Sequence, residues 1–367
     1  MKELFLKSKL FDILEKVEKG QRLTKDDGIR LMSSNDLLAL GYMANLVKQR
    51  KNGDKVYFNH NRHLNHTNIC VNRCKLCAFG VDEDHSTAYL LSLEEIEAKL
   101  QELADKNISE VHIVGGLHPD LSFDYYLEML RRVKSLLPHV HIKAFTAVEI
   151  DYFAQTTGYS LEEVLIKLRE TGLGSMPGGG AEIFSPRVRQ LICEKKVSGE
   201  RWLEVMEAVH NIGMHSNATM LYGHVETIEE RIDHLISLRE QQDKSKGFLA
   251  FIPLAFHPKN TALEPIVESK TTGFDDIKVL AVSRLMLDNF DHIKAYWVML
   301  GPKLAQISLS FGVDDLDGTV IEEKITNAAG AETGQGMTKM ELIKMIKATG
   351  NKPIERDTVY NVVQEEF

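Results

Sequence analysis

Apolar residues at Leu10, Ile13, Leu14 and Val17 recur at the spacing of one helix face, and Leu37, Leu38, Leu40 and Met43 repeat the pattern. Residues 1–50 therefore predict an N-terminal helical extension with a polar outer face. From about residue 56 the rhythm changes, and short apolar strands alternate with amphipathic helices. Strands are expected at 56–64, 111–114, 141–148, 173–176, 216–221, 248–253 and 293–298, with an eighth at 309–312. Helices are expected near 123–137, 160–171, 201–212, 226–243, 273–290 and 301–308. Ahead of the second strand, Leu93, Ile96, Leu100 and Leu103 mark another helix. Ser92, with Glu95 three residues on, opens it as a capping box.

Strand–helix alternation over this length predicts a parallel sheet, and the number of units predicts closure into an α/β barrel of the (β/α)8, TIM type. The barrel is expected at 51–320. A C-terminal extension at 321–367, with Gly330, Gly334, Gly336 and a helix at 339–348, is expected to pack on it. A chain of 367 residues with 43% apolar content can bury one such core without a second domain. In barrels of this kind the loops after the strands' C-terminal ends carry the chemistry.

Charge narrows the partners. The chain has 53 acidic and 44 basic residues, a net charge of −9, and no Lys/Arg block, which argues against nucleic acid. The N-terminus is charged and lacks the apolar run of a secretion signal. No segment approaches the roughly 20 apolar residues of a membrane helix. Only four cysteines are present, too few for a disulfide framework, so a reducing, cytoplasmic setting is expected.

Three of those cysteines stand close together as Cys70-x3-Cys74-x2-Cys77. Three thiolates leave one iron of a [4Fe-4S] cluster without a protein ligand and open to a chelating small molecule. An electron-carrying cluster or a closed zinc site would want a fourth ligand. The fourth cysteine, Cys193, follows Leu191 and Ile192 and reads as a small apolar helix residue. The spacing resembles that of the radical S-adenosylmethionine enzymes, in which the cofactor's methionine end binds the free iron. The resemblance assigns Cys70, Cys74 and Cys77 as cluster ligands. Their loop follows the first expected strand, where barrel chemistry belongs.

Longer strings narrow the resemblance. NRHLNHTNIC at 61–70, GGLHP at 115–119, SMPGGGAEIF at 175–184, ATMLYGHVET at 218–227 and DDLDGTV at 314–320 resemble the aminofutalosine synthases of menaquinone biosynthesis. Several are shared with two sister groups, the cyclic dehypoxanthinylfutalosine synthases and the deazaflavin (FO) synthase subunits. The DDLDGTV string followed by Glu322, Glu323 and Lys324, with PIERDTVY at 353–360, is more like the synthase. The resemblance implies that a 5′-deoxyadenosyl radical adds to 3-[(1-carboxyvinyl)oxy]benzoate. Rearrangement and loss of a carboxyl group then give 6-amino-6-deoxyfutalosine. S-adenosylmethionine would be consumed as co-substrate, and a flavodoxin or ferredoxin would supply the electron.

The same resemblance nominates site residues. Gly115 and Gly116 match the glycines that hold the cofactor's methionine end, but Leu117 replaces the usual acid. Phe79 is placed to approach the adenine. Glu149, read as the end of the third strand, is a candidate for the cofactor's ribose. Glu182, after the Gly178–Gly180 turn, is a candidate at the barrel mouth, while Glu226 reads as a helix cap. A substrate with two carboxylates needs cations. Arg62 is the first candidate, because a guanidinium can hold a carboxylate by two parallel hydrogen bonds, and His118 is the second. His63 and His66 have no further ligand nearby in sequence, so a metal pair is not favoured.

Overall fold

The computed structural model describes residues 5–102, 107–267, 270–331 and 336–367. Leu103 and Gly334, named above, lie outside them. The strands in chain order are β1 (Lys55–Asn59), β2 (Asn61–Leu64), β3 (Glu110–Ile113), β4 (His141–Ala144), β5 (Leu173–Met176) and β6 (His215–Tyr222). They continue with β7 (Phe248–Ala255), β8 (His292–Ile293), β9 (Asp315–Gly318), β10 (Lys352–Arg356) and β11 (Val362–Gln364). A curled seven-stranded sheet runs β2-β3-β4-β5-β6-β7-β8, and every neighbouring pair in it is parallel. Helices connect the strands and cover the sheet. Val111, Ile113 and Ile142 share one core with Ile96, Leu130 and Val133 of the flanking helices. The α/β barrel class expected from the alternation is the class observed.

Some boundaries differ, each for a local reason. The first expected strand, 56–64, is two strands broken at His60, and they belong to different sheets. β1 pairs with β9 and β10 in a second, four-stranded sheet that brings the start of the barrel region against the chain's last strands. The third expected strand stops at Ala144. Thr146 then caps the helix Ala147–Thr157 through a reciprocal pair with Glu149, so Glu149 is a first-turn helix residue rather than a strand end. The segment 309–312 forms turn, not strand. The gap between β8 and β2 is filled farther on, where Asp315 bridges to Lys294 and Ile321 to Arg62, both parallel.

Candidate active site

A cavity of about 330 Å³ opens where the strands end, and its wall takes in Cys70, Cys74, Cys77, Phe79, Gly115, Gly116, Glu149 and Glu182. The sequence candidates it brings together thus come from four successive loops, those after β2, β3, β4 and β5.

The cysteine loop is held by its own polar side chains. Thr67 Oγ1 donates to the Tyr89 carbonyl at 2.7 Å, and Asn68 spans Thr87 O at 2.9 Å and Tyr89 N at 2.8 Å. Cys70 N donates to Val81 O, and Val71 N to Leu117 O, each at 3.0 Å. Arg73 takes a left-handed backbone (φ 43°), and its guanidinium donates to Gly80 O. A Cβ on Gly80 would lie 3.3 Å from Cys70 Cβ and 3.7 Å from Cys77 Sγ, so this glycine leaves the space between those two cysteines. Burial pushes the Cys74 thiol up to about 11, opposed by Lys196 and reinforced by the neighbouring Cys193 and Cys77. Metal binding would remove that proton. Among the described residues no three His, Cys, Asp or Glu side chains gather closely enough for a single ion. Three thiols on one cavity wall suit a larger, sulfur-ligated cluster instead.

The glycine pair is shaped by packing. A Cβ on Gly115 would stand 2.4 Å from the His66 ring, and one on Gly116 only 2.1 Å from Ile69 O and 3.1 Å from Cys70 Cβ. The strand end and the cysteine loop therefore touch backbone to backbone. His66 fills the space behind the glycines. Burial, with some help from His118, lowers its imidazole to about 4 and keeps it neutral.

Glu149 faces the cavity beside these glycines. Its carboxylate accepts from Gly115 N at 3.3 Å, Thr146 N at 2.7 Å and Thr146 Oγ1 at 2.8 Å. Burial nevertheless raises it to about 7. Glu182, in a left-handed conformation (φ 46°), accepts from Lys196 Nζ at 2.6 Å. Lys196 keeps Glu182 ionised against the opposing effect of burial. The turn before it is strapped by buried Arg189, which donates to Gly180 O at 3.1 Å, Ala181 O at 2.7 Å, Ile183 O at 3.3 Å and also Val197 O. Phe79 lies edge-on to Tyr89, with ring centroids 6.4 Å apart. Glu226 accepts from Gly223 N at 2.6 Å and from Arg231, closing the turn after β6, and the next helix is capped by Thr227 and Glu230 instead.

Arg62 and His118 are not on the cavity wall. Alternation along β2 points Arg62 away from the lumen, and its Nη2 lies 2.7 Å from Glu322 Oε1. His118 Nδ1 accepts from Asp120 N at 3.1 Å, and its carbonyl accepts from Tyr152 OH at 3.2 Å. The cations that do reach the wall are Lys143, Lys196 and Arg73, and His63 and His112 join them. Lys143 and Lys196 went unnoticed in the sequence because each sits in an ordinary polar string. His63 was seen, but its inward direction depends on where β2 begins.

Residues 64–238 match the model of the Radical SAM superfamily, and residues 245–366 match that of the CofH/MqnC C-terminal region. The aminodeoxyfutalosine synthase of Thermus thermophilus is 47% identical over 358 residues, covering 97% of this chain and 96% of that protein. This chain belongs to the radical SAM superfamily, within the aminodeoxyfutalosine synthase family. The Streptomyces coelicolor aminodeoxyfutalosine synthase is 42% identical, with 96% of this chain and 94% of that one covered. A 5-amino-6-(D-ribitylamino)uracil–L-tyrosine 4-hydroxyphenyl transferase from Methanococcoides burtonii is 37% identical over 96% of this radical SAM chain and 99% of its own. Methylornithine synthase superposes with a TM-score of 0.74 at 19% identity, covering 93% and 97% of the two chains. The hydrogenase maturase HydG does so with 0.75 at 16%, covering 98% and 79%. At those identities the likeness is one of fold. No helix among the described residues is long and apolar enough to cross a membrane.

Proposed function

We propose that this enzyme forms 6-amino-6-deoxyfutalosine from S-adenosylmethionine and 3-[(1-carboxyvinyl)oxy]benzoate. The observation that carries the reading is the near-full-length identity to two aminodeoxyfutalosine synthases, joined to a cavity whose wall holds all three clustered thiols. When bound at Cys70, Cys74 and Cys77, a [4Fe-4S] cluster with S-adenosylmethionine supplies a 5′-deoxyadenosyl radical. The chain's own work is placement. Gly115, Gly116 and Glu149 form one wall for the cofactor, and the strapped Gly178–Glu182 turn forms the facing one. Leu221, Ile252, Leu254 and Met299 give the cavity an apolar side against which an aromatic ring can lie. Such a surface excludes water and holds the vinyl carbon near the radical carbon, where pre-orientation is worth most.

A second reading is kept because relatives near 37–40% identity are named for a different chemistry and match nearly as much of the chain. In that reading the radical abstracts hydrogen rather than adding to a double bond. Reconstituted, reduced protein incubated with S-adenosylmethionine and the enol-ether benzoate separates the two. A product carrying the adenosyl group supports the synthase, and free 5′-deoxyadenosine without an adduct contradicts it.

A further inference from the structure

Below the cysteine loop, three adjacent strands each turn a nitrogen-bearing side chain into the lumen at one level. His63 of β2 is in register with His112 of β3, and His112 with Lys143 of β4. Register partners in a parallel sheet face the same way, and all three line the cavity. Two of them have hydrogen-bonding capacity to spare. His63 Nε2 is buried and has no hydrogen-bond partner among the described residues. Lys143 is 3% exposed and, among the described residues, its ion pair is with Glu110, Nζ to Oε1 2.7 Å, although an ammonium has three N–H donors. The lining also carries the apolar side chains Val114, Val148, Ile252 and Leu254, and one acid near this floor, Asp317, which is paired with Lys294 at 3.0 Å.

We infer that His63 Nε2 and Lys143 Nζ bind the ring carboxylate of the aryl enol ether at the cavity floor. The inference rests on the proposed function and adds the orientation of its substrate. The reacting double bond must lie at the thiol end, where the radical arises, and the enol-ether carboxylate is attached to that same double bond. The ring carboxylate is at the opposite end of a flat, apolar body, so it reaches inward. There Lys143 is shared between Glu110 and the incoming carboxylate, a charge-assisted contact, and His63 supplies the second donor. Arg62, one residue earlier, points away and cannot substitute.

Calorimetric titration of the cluster-reconstituted, full-length protein without reductant tests this. The probes are 3-[(1-carboxyvinyl)oxy]benzoate and 2-phenoxyacrylate, which keeps the enol ether and lacks the ring carboxylate. Wild type should bind the dicarboxylate at least about tenfold more tightly. His63→Leu strands no partner and should erase most of that preference, while 2-phenoxyacrylate and S-adenosylmethionine affinities stay within about twofold. Lys143→Arg, which keeps a charge opposite Glu110, should likewise weaken the dicarboxylate alone. A His63→Leu protein that keeps the tenfold preference overturns the anchor and leaves the proposed function standing. A wild type that binds neither probe overturns the proposed function and the anchor with it.

Discussion

At Glu149 burial competes with three hydrogen-bond donors, and burial prevails, raising the carboxyl to about 7 from an ordinary value near 4.5. The folded chain therefore holds this proton more tightly than the unfolded chain does. The stability so gained is complete below about pH 4.5 and is lost as pH rises through about 7. A shift of that size corresponds to about 3 kcal/mol. Glu149→Gln, which stays neutral, should gain stability relative to wild type by up to that amount between pH 5 and 8. Denaturant unfolding of the cluster-free protein at several pH values checks it, and parallel curves would contradict it. Gly116 makes a second residue-scale test. The resemblance gives Gly116 a role at the cofactor's methionine end alone. The contact with Ile69 O and Cys70 Cβ changes the expectation. Even Gly116→Ala overpacks the loop, typically by about 1–3 kcal/mol, so iron per chain should fall together with S-adenosylmethionine affinity. Iron content at the wild-type level would show that the loop yields without cost.

Among the elements, strands and helices with clean periodicity were legible and the joints between them were not. The expected strand at 173–176 is β5, and the expected helix at 160–171 is Leu161–Glu170, because each has strong apolar spacing and a polar start. The break at His60 was invisible, since apolar and polar residues run on through it while the chain changes sheets. The strand that restarts at Asn61 sets the facing of the β2 residues, so that His63 and not Arg62 lines the cavity. Thr146 gave a second joint: Thr146-x2-Glu149 is a capping box and ends the strand, though Ala147 and Val148 look like its continuation. The thiols and the glycine loops were legible because their spacing is local. The floor of the cavity was not, because it is assembled by register between strands about 30 to 50 residues apart. The Gly178–Glu182 turn belongs to this scale too. Arg189→Leu removes a charged donor from four carbonyls and should cost about 2–4 kcal/mol. It should weaken S-adenosylmethionine binding while iron stays near normal, since no cluster cysteine lies on that turn. Cys193, just past the helix Pro186–Ile192 and 2% exposed, should be dispensable for the cluster. Loss of iron in Cys193→Ser would contradict that.

Across the whole molecule, the last strands close the end of the barrel opposite the thiols. Arg356 Nε lies 2.6 Å from Asp315 Oδ2, Tyr360 OH donates to the same oxygen at 2.7 Å, and Thr358 Oγ1 donates to Glu110 Oε2 at 2.9 Å. Tyr360 also stacks on His292, with centroids 3.6 Å apart, and the Arg356 guanidinium lies over its ring at 4.3 Å. The C-terminal segment thus supports the layer of charges beneath Lys143. Arg356→Met removes the cation that pairs with buried Asp315, leaving it the Tyr360 hydroxyl and the Asp317 amide, and should cost about 3–5 kcal/mol, with a matching fall in the thermal midpoint. An unchanged midpoint would mean that the segment merely rests on the barrel. In the proposed reaction the radical adds to the substrate instead of abstracting hydrogen, and the fate of the adenosyl group tells the two apart. Reconstituted, reduced protein should convert the enol-ether benzoate to a product with one adenosyl unit per molecule, identified by mass, with free 5′-deoxyadenosine only a minor side product. Stoichiometric 5′-deoxyadenosine and no adenosyl adduct would contradict the account.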